Sequence, residues 1–438
     1  KTMKLLVNLF GTSQFLTRIF IQHPEILDAL VSGAYATPFK DLPEMQYDLT
    51  ALMREANDYE QKLEILRKFR NEEFLRIALN DIFGTTPQGE KTYQLSCLAD
   101  CCLIAAVAIA QEELIPRYGL PYCSTVGQES QPAEFVIVGM GKLGGMELNY
   151  HSDLDIIFVY QGDGETRAVA GTDPERFKAQ SNPYYFSRLA QRIISVLTLV
   201  TQDGYVYQID TRLRPSGNQG PLVTSLSAFN NYHASSAQLW ERQALIKARV
   251  IQTGSHLSEE MHKSLEFCAY SAPLPENVAI EIARLRSRME KEIGRERENR
   301  FNIKTGRGGM VDVEFIAQYL QLLHGANNPD LHVTNSIKAL RKLQHAAILE
   351  EKETTTLIEG YKFLRKLENM LRLIHDQSIH ELPNDTAYLN KLARRLGYQD
   401  VSEPGEALLE AYRGITEGIR EIFTRYLAPA DEPKRSSS

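Results

Sequence analysis

The sequence predicts an α+β protein that is mostly helical, and three observations carry that expectation. Apolar residues recur at helical spacing up to about residue 120. From Glu134 the chain breaks into short apolar runs punctuated by glycine. From about residue 255, helical stripes with short polar connectors resume. The parts expected are a leading helical region over 1–125, a core of mixed sheet and helices over 126–255, a helical bundle over 256–428 and a disordered tail over 429–438. A chain of 438 residues exceeds one ordinary core, which agrees with several domains.

Each element has its own signal. "YEQKLEILRKFRNEEFLRIALNDIFG" sets Leu63, Ile65, Leu66, Phe69, Phe74, Leu75 and Ile77 at mostly helical spacing and stops at Gly84. "LADCCLIAAVAIAQEELIPRYG" predicts a second, more buried helix. "EFVIVGM" reads as a strand opening through Gly141, Gly144 and Gly145 into a turn and short helix. "DLDIIFVY" is a second strand and "YYFSRLAQRIISVLTLVT" an amphipathic helix. "GYVYQIDTRLRP" is a third strand, stopped by Pro215. "PLVTSLSAF" gives a fourth strand before a helix around "QLWERQALIKARV". Beyond it, "VAIEIARLRSRMEKEI", "GMVDVEFIAQYLQLLHG", "TTLIEGYKFLRKLENMLRLIHDQ" and "GEALLEAYRGITEGIREIFTRYL" carry the stripes of a bundle.

Composition narrows the function. Hydrophobic content of 43% and charged content of 24% are those of a soluble globular protein. A net charge of −7 argues against a long polyanion such as nucleic acid as partner. No apolar run is expected to span a bilayer, and no charged-then-apolar leader opens the chain, so no membrane is expected. The chain begins at Lys1 rather than Met, as a piece of a longer or processed protein would. Five cysteines, with Cys97, Cys101 and Cys102 in one helical stretch, match neither a disulfide framework nor a zinc spacing. Buried thiols in a reducing cytoplasm are the expectation.

The chemistry concentrates in "GMGKLGGMELNYHSDLDIIFVY", where a glycine turn precedes an apolar strand that opens with acids. An ionised carboxylate in a core strand is costly unless something pairs with it. Side chains alternate along a strand, so Asp153 and Asp155 emerge on one face roughly 6.6 Å apart. A divalent cation would relieve their repulsion, and Mg²⁺ takes one or two carboxylates alongside substrate phosphates. "YQIDTRLRP" adds Asp210, with Arg212 and Arg214 on the same face while the strand stays regular. Guanidiniums beside an acid suit a metal–triphosphate site. The glycines let backbone approach a phosphate; the Walker spacing is absent, and although Gly139, Gly141 and Gly144 formally satisfy G-x-G-x-x-G, the run leads into an acidic strand rather than the long helix of a dinucleotide site. A lone Asp-x-Asp is usually a solvated strand start. It is the combination of the glycine turn, Ser152, the acid pair and a later acid that points to catalysis.

These motifs, with "WERQALIKARV" and "FNIKTGRGGMVDVEFIAQYL", resemble the bacterial glutamine synthetase adenylyltransferase (adenylyl-removing enzyme) family over nearly the whole chain. The resemblance implies a nucleotidyltransferase domain of the DNA polymerase β superfamily followed by a helical bundle. It implies that Asp153, Asp155 and Asp210 bind two Mg²⁺ ions, with Gly144, Gly145 and Ser152 near the phosphates of ATP. The interval from Gly145 to Asp153 is tighter than the superfamily's usual spacing. Full-length members carry two such units, one adding AMP to a tyrosine of glutamine synthetase and one removing it by phosphorolysis. One unit is expected here. "HPEILDAL" and the helix after it look like what precedes the adenylylating unit. A PII-type signal protein and glutamine are the implied regulators, and Asp210 is the carboxylate expected to accept the tyrosine proton.

Other residues carry weaker expectations. Lys247 and Arg249 reach phosphates or end a solvated basic helix, and Trp240, Leu245 and Ala248 pack. Lys304 and Arg307, before a glycine-started helix, form an anion-type arrangement. Asp312 and Glu314 do not share a helix face, so they are not a metal pair. His151 is a surface or supporting group. Against a protein-modifying transferase stand two other readings: a nucleotidyltransferase acting on a small molecule or RNA end, and a non-catalytic module. Acidity and the companion motifs disfavour the first, and retention of three repelling acids the second.

Overall fold

The computed structural model describes residues 39–82, 84–123, 131–170, 177–201, 204–294, 296, 300–375 and 377–427, together with Thr17 and Ile21. The segment containing "HPEILDAL" and the expected tail lie outside the described residues. The structure is mostly helical with a few small sheets, an α+β arrangement. It divides into two compact units, Lys1–Ala237 with Lys247–Cys268, and Gln238–Ile246 with Ala269–Ser438.

In the first unit, helices α1 (Leu42–Met53), α2 (Tyr59–Ile82) and α3 (Gln88–Tyr118) precede the sheet. Asp41 caps α1 in a reciprocal capping box with Glu44. The expectation that no run could span a bilayer needs correcting for α3. Gly89–Tyr118 contains an 18-residue window of mean hydropathy 1.8, long and apolar enough to cross a membrane by those measures. Yet 72% of that window is buried inside the protein, the signature of a core helix. Cys97, Cys101 and Cys102 lie in it, and all five cysteines are buried thiols outside any disulfide. Burial pushes the Cys97 and Cys101 thiols up to about 12, so they are unreactive as thiolates.

Strands β1 (Leu120–Cys123), β2 (Phe135–Gly139), β3 (Leu154–Tyr160) and β4 (Gly164–Arg167) follow, with the four-residue helix α4 (Gly141–Gly144) between β2 and β3. Helix α5 (Asn182–Thr198), strands β5 (Ile209–Asp210) and β6 (Val223–Ser225), helices α6 (Leu226–Ser235) and α7 (Leu239–Leu245), strand β7 (Arg249–Val250) and helix α8 (His256–Glu266) complete this stretch; α7 belongs to the second unit. The five-stranded sheet is mixed. β2 pairs antiparallel with β3 and β7, while β5 and β6 pair parallel with opposite ends of one edge of β3. β1 and β4 form a separate antiparallel pair.

β3 is buried along its whole length except at Asp155, so both faces are covered and a polar side chain there must have a purpose. Helix α5 explains part of that cover. Tyr185, Phe186, Leu189, Ala190, Ile193, Val196 and Leu197 form its buried stripe, and Phe186 stacks between Phe135 and Tyr160 at 5.6 and 5.0 Å between ring centroids. The third expected strand is cut short: the ladder ends at Asp210, and Arg212 and Arg214 lie in the turn beyond it rather than on its face. Likewise the expected helix through "QLWERQALIKARV" stops at Leu245, and Arg249 sits on β7. Leu245 and Ala248 are buried as expected, whereas Trp240 is exposed.

The second unit consists of α7, α9 (Val278–Met289), α10 (Met310–Gly325), α11 (Ser336–His345), α12 (Glu351–His375), α13 (Thr386–Leu396) and α14 (Pro404–Leu427), with β8 (Arg300–Asn302) paired antiparallel to β9 (Glu381–Pro383). Helix α12 buries Leu357, Leu364, Leu367 and Leu371 together with the charged Glu368. Glu368 accepts from Arg365 and Arg372 at 2.9 Å each and lies 3.0 Å from His380. Burial alone would raise its pKa; Arg372, His380 and Arg365 outweigh that and hold the carboxyl well below its usual range.

In the anion-type arrangement expected before α10, the helix start and Arg307 are satisfied from within the unit. Asp312, fully buried on the first turn of α10, accepts from Gly308 N–H at 2.9 Å and pairs with Arg286 and Arg420. Arg307 pairs with Glu417. Glu314 accepts from the Tyr361 hydroxyl at 2.9 Å, in keeping with its exclusion as a metal partner of Asp312.

Candidate active site

The acidic positions converge through sheet register. β3 and β5 run parallel with Leu154 opposite Ile209 and Asp155 opposite Asp210. Paired residues on adjacent strands lie about 4.8 Å apart and project to the same side. Asp153 is exposed and immediately precedes β3 rather than lying within it. Arg212 bonds Asp210, and the charges of Asp155 and Asp153 act on it as well. Its hydrogen bond to Asp210 raises its pKa most, and the charges of Asp155 and Asp153 add to the effect.

Asp210 is taken up by that arginine. Arg212 Nε donates to its carboxylate at 2.8 and 3.0 Å, and the Arg212 backbone N–H donates to Oδ1 at 2.8 Å. The side-chain bonds come first in holding the Asp210 carboxyl below its usual range. A depressed pKa makes a weaker proton acceptor, so Asp210 is ill suited to act as a base while Arg212 holds it. Among the described residues no three His, Cys, Asp or Glu side chains are gathered as a ready metal cage. The donor set still suits a hard cation. Mg²⁺ needs only one or two carboxylates, and Asp155 and Asp210 stand side by side with a guanidinium already supplying positive charge.

The glycine turn is built onto this acid end. Gly141 adopts φ +53°, and a Cβ there would sit 3.1 Å from Asp155 Oδ2, so the missing side chain lets the turn lie against the carboxylate. Met140 N–H donates to the Asp155 carbonyl at 2.8 Å. Gly144 and Gly145, expected beside phosphate, have packing reasons to be glycine. A Cβ on Gly144 would meet the Lys247 carbonyl oxygen at 1.7 Å, and one on Gly145 the Lys247 Cε at 2.9 Å. Ser152 Oγ accepts from Asn149 N–H at 3.1 Å and closes the connection between turn and strand.

Three expected phosphate-binding cations turn out to be engaged elsewhere. Lys247 is buried and paired with Glu147. Arg249 bonds Asp100 and the turn's carbonyls. Arg214 donates to the Thr211 carbonyl at 2.8 Å and the Pro221 carbonyl at 3.0 Å, holding the loop after β5 in place. Arg212, 74% exposed, retains an open approach to a ligand. Sequence reading missed Glu147 and Asp100. The signal for Asp100 was available, because an acid inside an apolar helix demands a cationic partner. His151 is half-buried, at φ +52°, its ring 5.5 Å from that of Phe74.

An acidic strand pair, a glycine turn against one acid and an arginine bonded to the other are the parts of a phosphate-handling site. The family model of glutamate-ammonia ligase adenylyltransferase matches residues 3–264, and the chain belongs to that family. A model of GlnD PII-uridylyltransferase matches residues 282–427. The bifunctional glutamine synthetase adenylyltransferase/adenylyl-removing enzyme of Shewanella loihica is 34% identical over 400 residues, covering 91% of this chain and 40% of that protein. The enzyme of the same description from Thioalkalivibrio sulfidiphilus is 33% identical over 428 residues, 98% of this chain and 43% of its own length. The chain thus spans about two fifths of the length of these curated relatives.

Proposed function

We propose that this chain is one catalytic unit of a glutamine synthetase adenylyltransferase, with a polymerase-β-like nucleotidyltransferase core over 126–255 served by the leading helices and followed by the bundle. It transfers AMP from ATP to a tyrosine of glutamine synthetase. The observation that carries the reading is the register pair Asp155–Asp210 on adjacent parallel strands, with Gly141 against Asp155.

In the reaction the tyrosine hydroxyl gives its proton to Asp210 once Arg212 has moved off that carboxylate, the tyrosine oxygen forms a bond to the α-phosphorus, the bond to the β-phosphate oxygen breaks, and pyrophosphate leaves with the displaced electron pair. Asp153, Asp155 and Asp210 would hold Mg²⁺, most simply two ions, which lower the charge barrier between phosphates and acids. Gly141 keeps the wall beside Asp155 open. Arg212 moves from Asp210 toward phosphate oxygens as a ligand arrives, and Arg214 fixes the loop that carries it. Glutamine synthetase is the protein partner, a PII-type protein and glutamine are the regulators, and the cytoplasm is the compartment, in keeping with five buried cysteines outside any disulfide.

Removal of AMP by phosphorolysis is the alternative direction. The charge argument for addition has lost Lys247, Arg249 and Arg214 to other partners, so addition rests on the resemblance of the leading helices. Calorimetry with ATP tests the site itself. Binding should appear with Mg²⁺, collapse on chelation, and have no counterpart with RNA or DNA at physiological salt. Tight polynucleotide binding would overturn the reading.

A further inference from the structure

Arg249 does more than occupy a basic position beside the glycine turn. Its guanidinium meets Asp100 of α3 twice, Nη1 to Oδ2 at 2.9 Å and Nη2 to Oδ1 at 3.0 Å. The same side chain donates to the Leu143 carbonyl at 3.1 Å and the Gly144 carbonyl at 3.3 Å. Those carbonyls end α4, a helix of only four residues. Helix-terminal carbonyls need outside donors, and a helix this short cannot hold itself in place. Asp100 is 1% exposed, so burial raises its pKa to about 6 against the pull of Arg249. At its other end α4 starts at Gly141, against Asp155.

We propose that Arg249, gripped by Asp100, is a positioning residue that fixes the glycine turn against Asp155. The proposal rests on the reading of Asp155 as a catalytic acid. A planar guanidinium is what the task requires, because it presents a fork to the carboxylate and further N–H groups to two carbonyls at once. A lysine can neutralise Asp100 but cannot span all three partners. Arg249 therefore acts through the turn and touches no reacting atom.

The test compares Arg249→Lys, the milder Asp100→Asn and Asp155→Asn in the full chain. Amide exchange of residues 140–146 should rise at least about tenfold in Arg249→Lys while amides of β2 and β3 keep the parent's protection. In the same variant kcat should fall about tenfold or more, with the melting temperature within a few degrees of the parent, because small misplacement at a reacting centre is costly. Asp100→Asn should show the same pattern more weakly, and it carries the test should Arg249→Lys fail to fold. Unchanged exchange in the turn overturns the proposal. So does raised exchange with kcat within about twofold of the parent, which makes the clamp purely structural. Parent-like kcat in Asp155→Asn, beside a loss in Arg249→Lys, would instead remove the catalytic reading on which the proposal stands.

Discussion

Asp155 and Asp210 are register partners on parallel strands, so two chain segments far apart in sequence deliver their carboxylates to one side of one sheet edge. Neither strand needs a charge for its own stability. β3 is otherwise buried throughout, and Asp155 interrupts that burial at the point where the glycine turn makes room for it. If the pair handles a charged ligand, removing one charge should harm chemistry more than folding. Asp155→Asn is expected to lose at least ~3 kcal/mol of transition-state stabilisation, about a hundredfold in kcat, at an unchanged or slightly higher melting temperature. Steady-state rates and a thermal melt on the same preparation check both halves of that statement.

The Arg212–Asp210 pair makes a pH prediction whose sign is fixed. The folded-state pKa of Asp210 lies below its usual value, first through the side-chain bonds from Arg212. Its stabilising contribution is therefore present above the ordinary carboxylate range and lost as pH falls through the lowered value. Because Arg212 is largely exposed, the contribution is under about 1 kcal/mol. In Arg212→Gln the Asp210 carboxyl should titrate at higher pH, read by carboxyl NMR, with little change in overall stability. A titration that stays in place would mean Arg212 does not hold the group.

Gly144 provides a purely steric prediction. Its would-be Cβ stands 1.7 Å from the Lys247 carbonyl, a backbone atom that cannot swing away. Gly144→Ala should destabilise the first unit by about 3 kcal/mol or more, whereas Gly84→Ala, with nothing within 4 Å but φ +67°, should cost only the modest strain of a left-handed residue. Urea unfolding of the two variants makes the comparison.

The legible part of this protein was the part with short-range periodicity. The stripes of α5, α11, α13 and α14, and the run from β2 through the glycine turn to β3, announced themselves because their neighbours in space are neighbours in sequence. Helix α2 forms as a helix, but it shows no stripe, because Arg67, Arg70, Glu73 and Arg76 are buried alongside its apolar residues. Strand length did not: β5 keeps only Ile209 and Asp210, since Arg214 folds back onto the Thr211 and Pro221 carbonyls and ends the ladder. The ion pairs around the turn were equally hidden. Lys247 lies 100 residues from Glu147 and Arg249 lies 149 from Asp100, separations at which no local pattern couples two charges. Their basic side chains therefore read as ligand-binding when they were already spoken for.

The proposed AMP transfer at the Asp155–Asp210 edge is decided by a two-substrate assay. One preparation receives unmodified glutamine synthetase with labelled ATP and Mg²⁺, and separately receives AMP-bearing glutamine synthetase with inorganic phosphate; Asp155→Asn runs beside it. Label is expected on a tyrosine in the first reaction, and none with Asp155→Asn. ADP released from the second reaction while the first stays unlabelled would reverse the assigned direction. Label that persists in Asp155→Asn at the parent's rate would contradict the site itself.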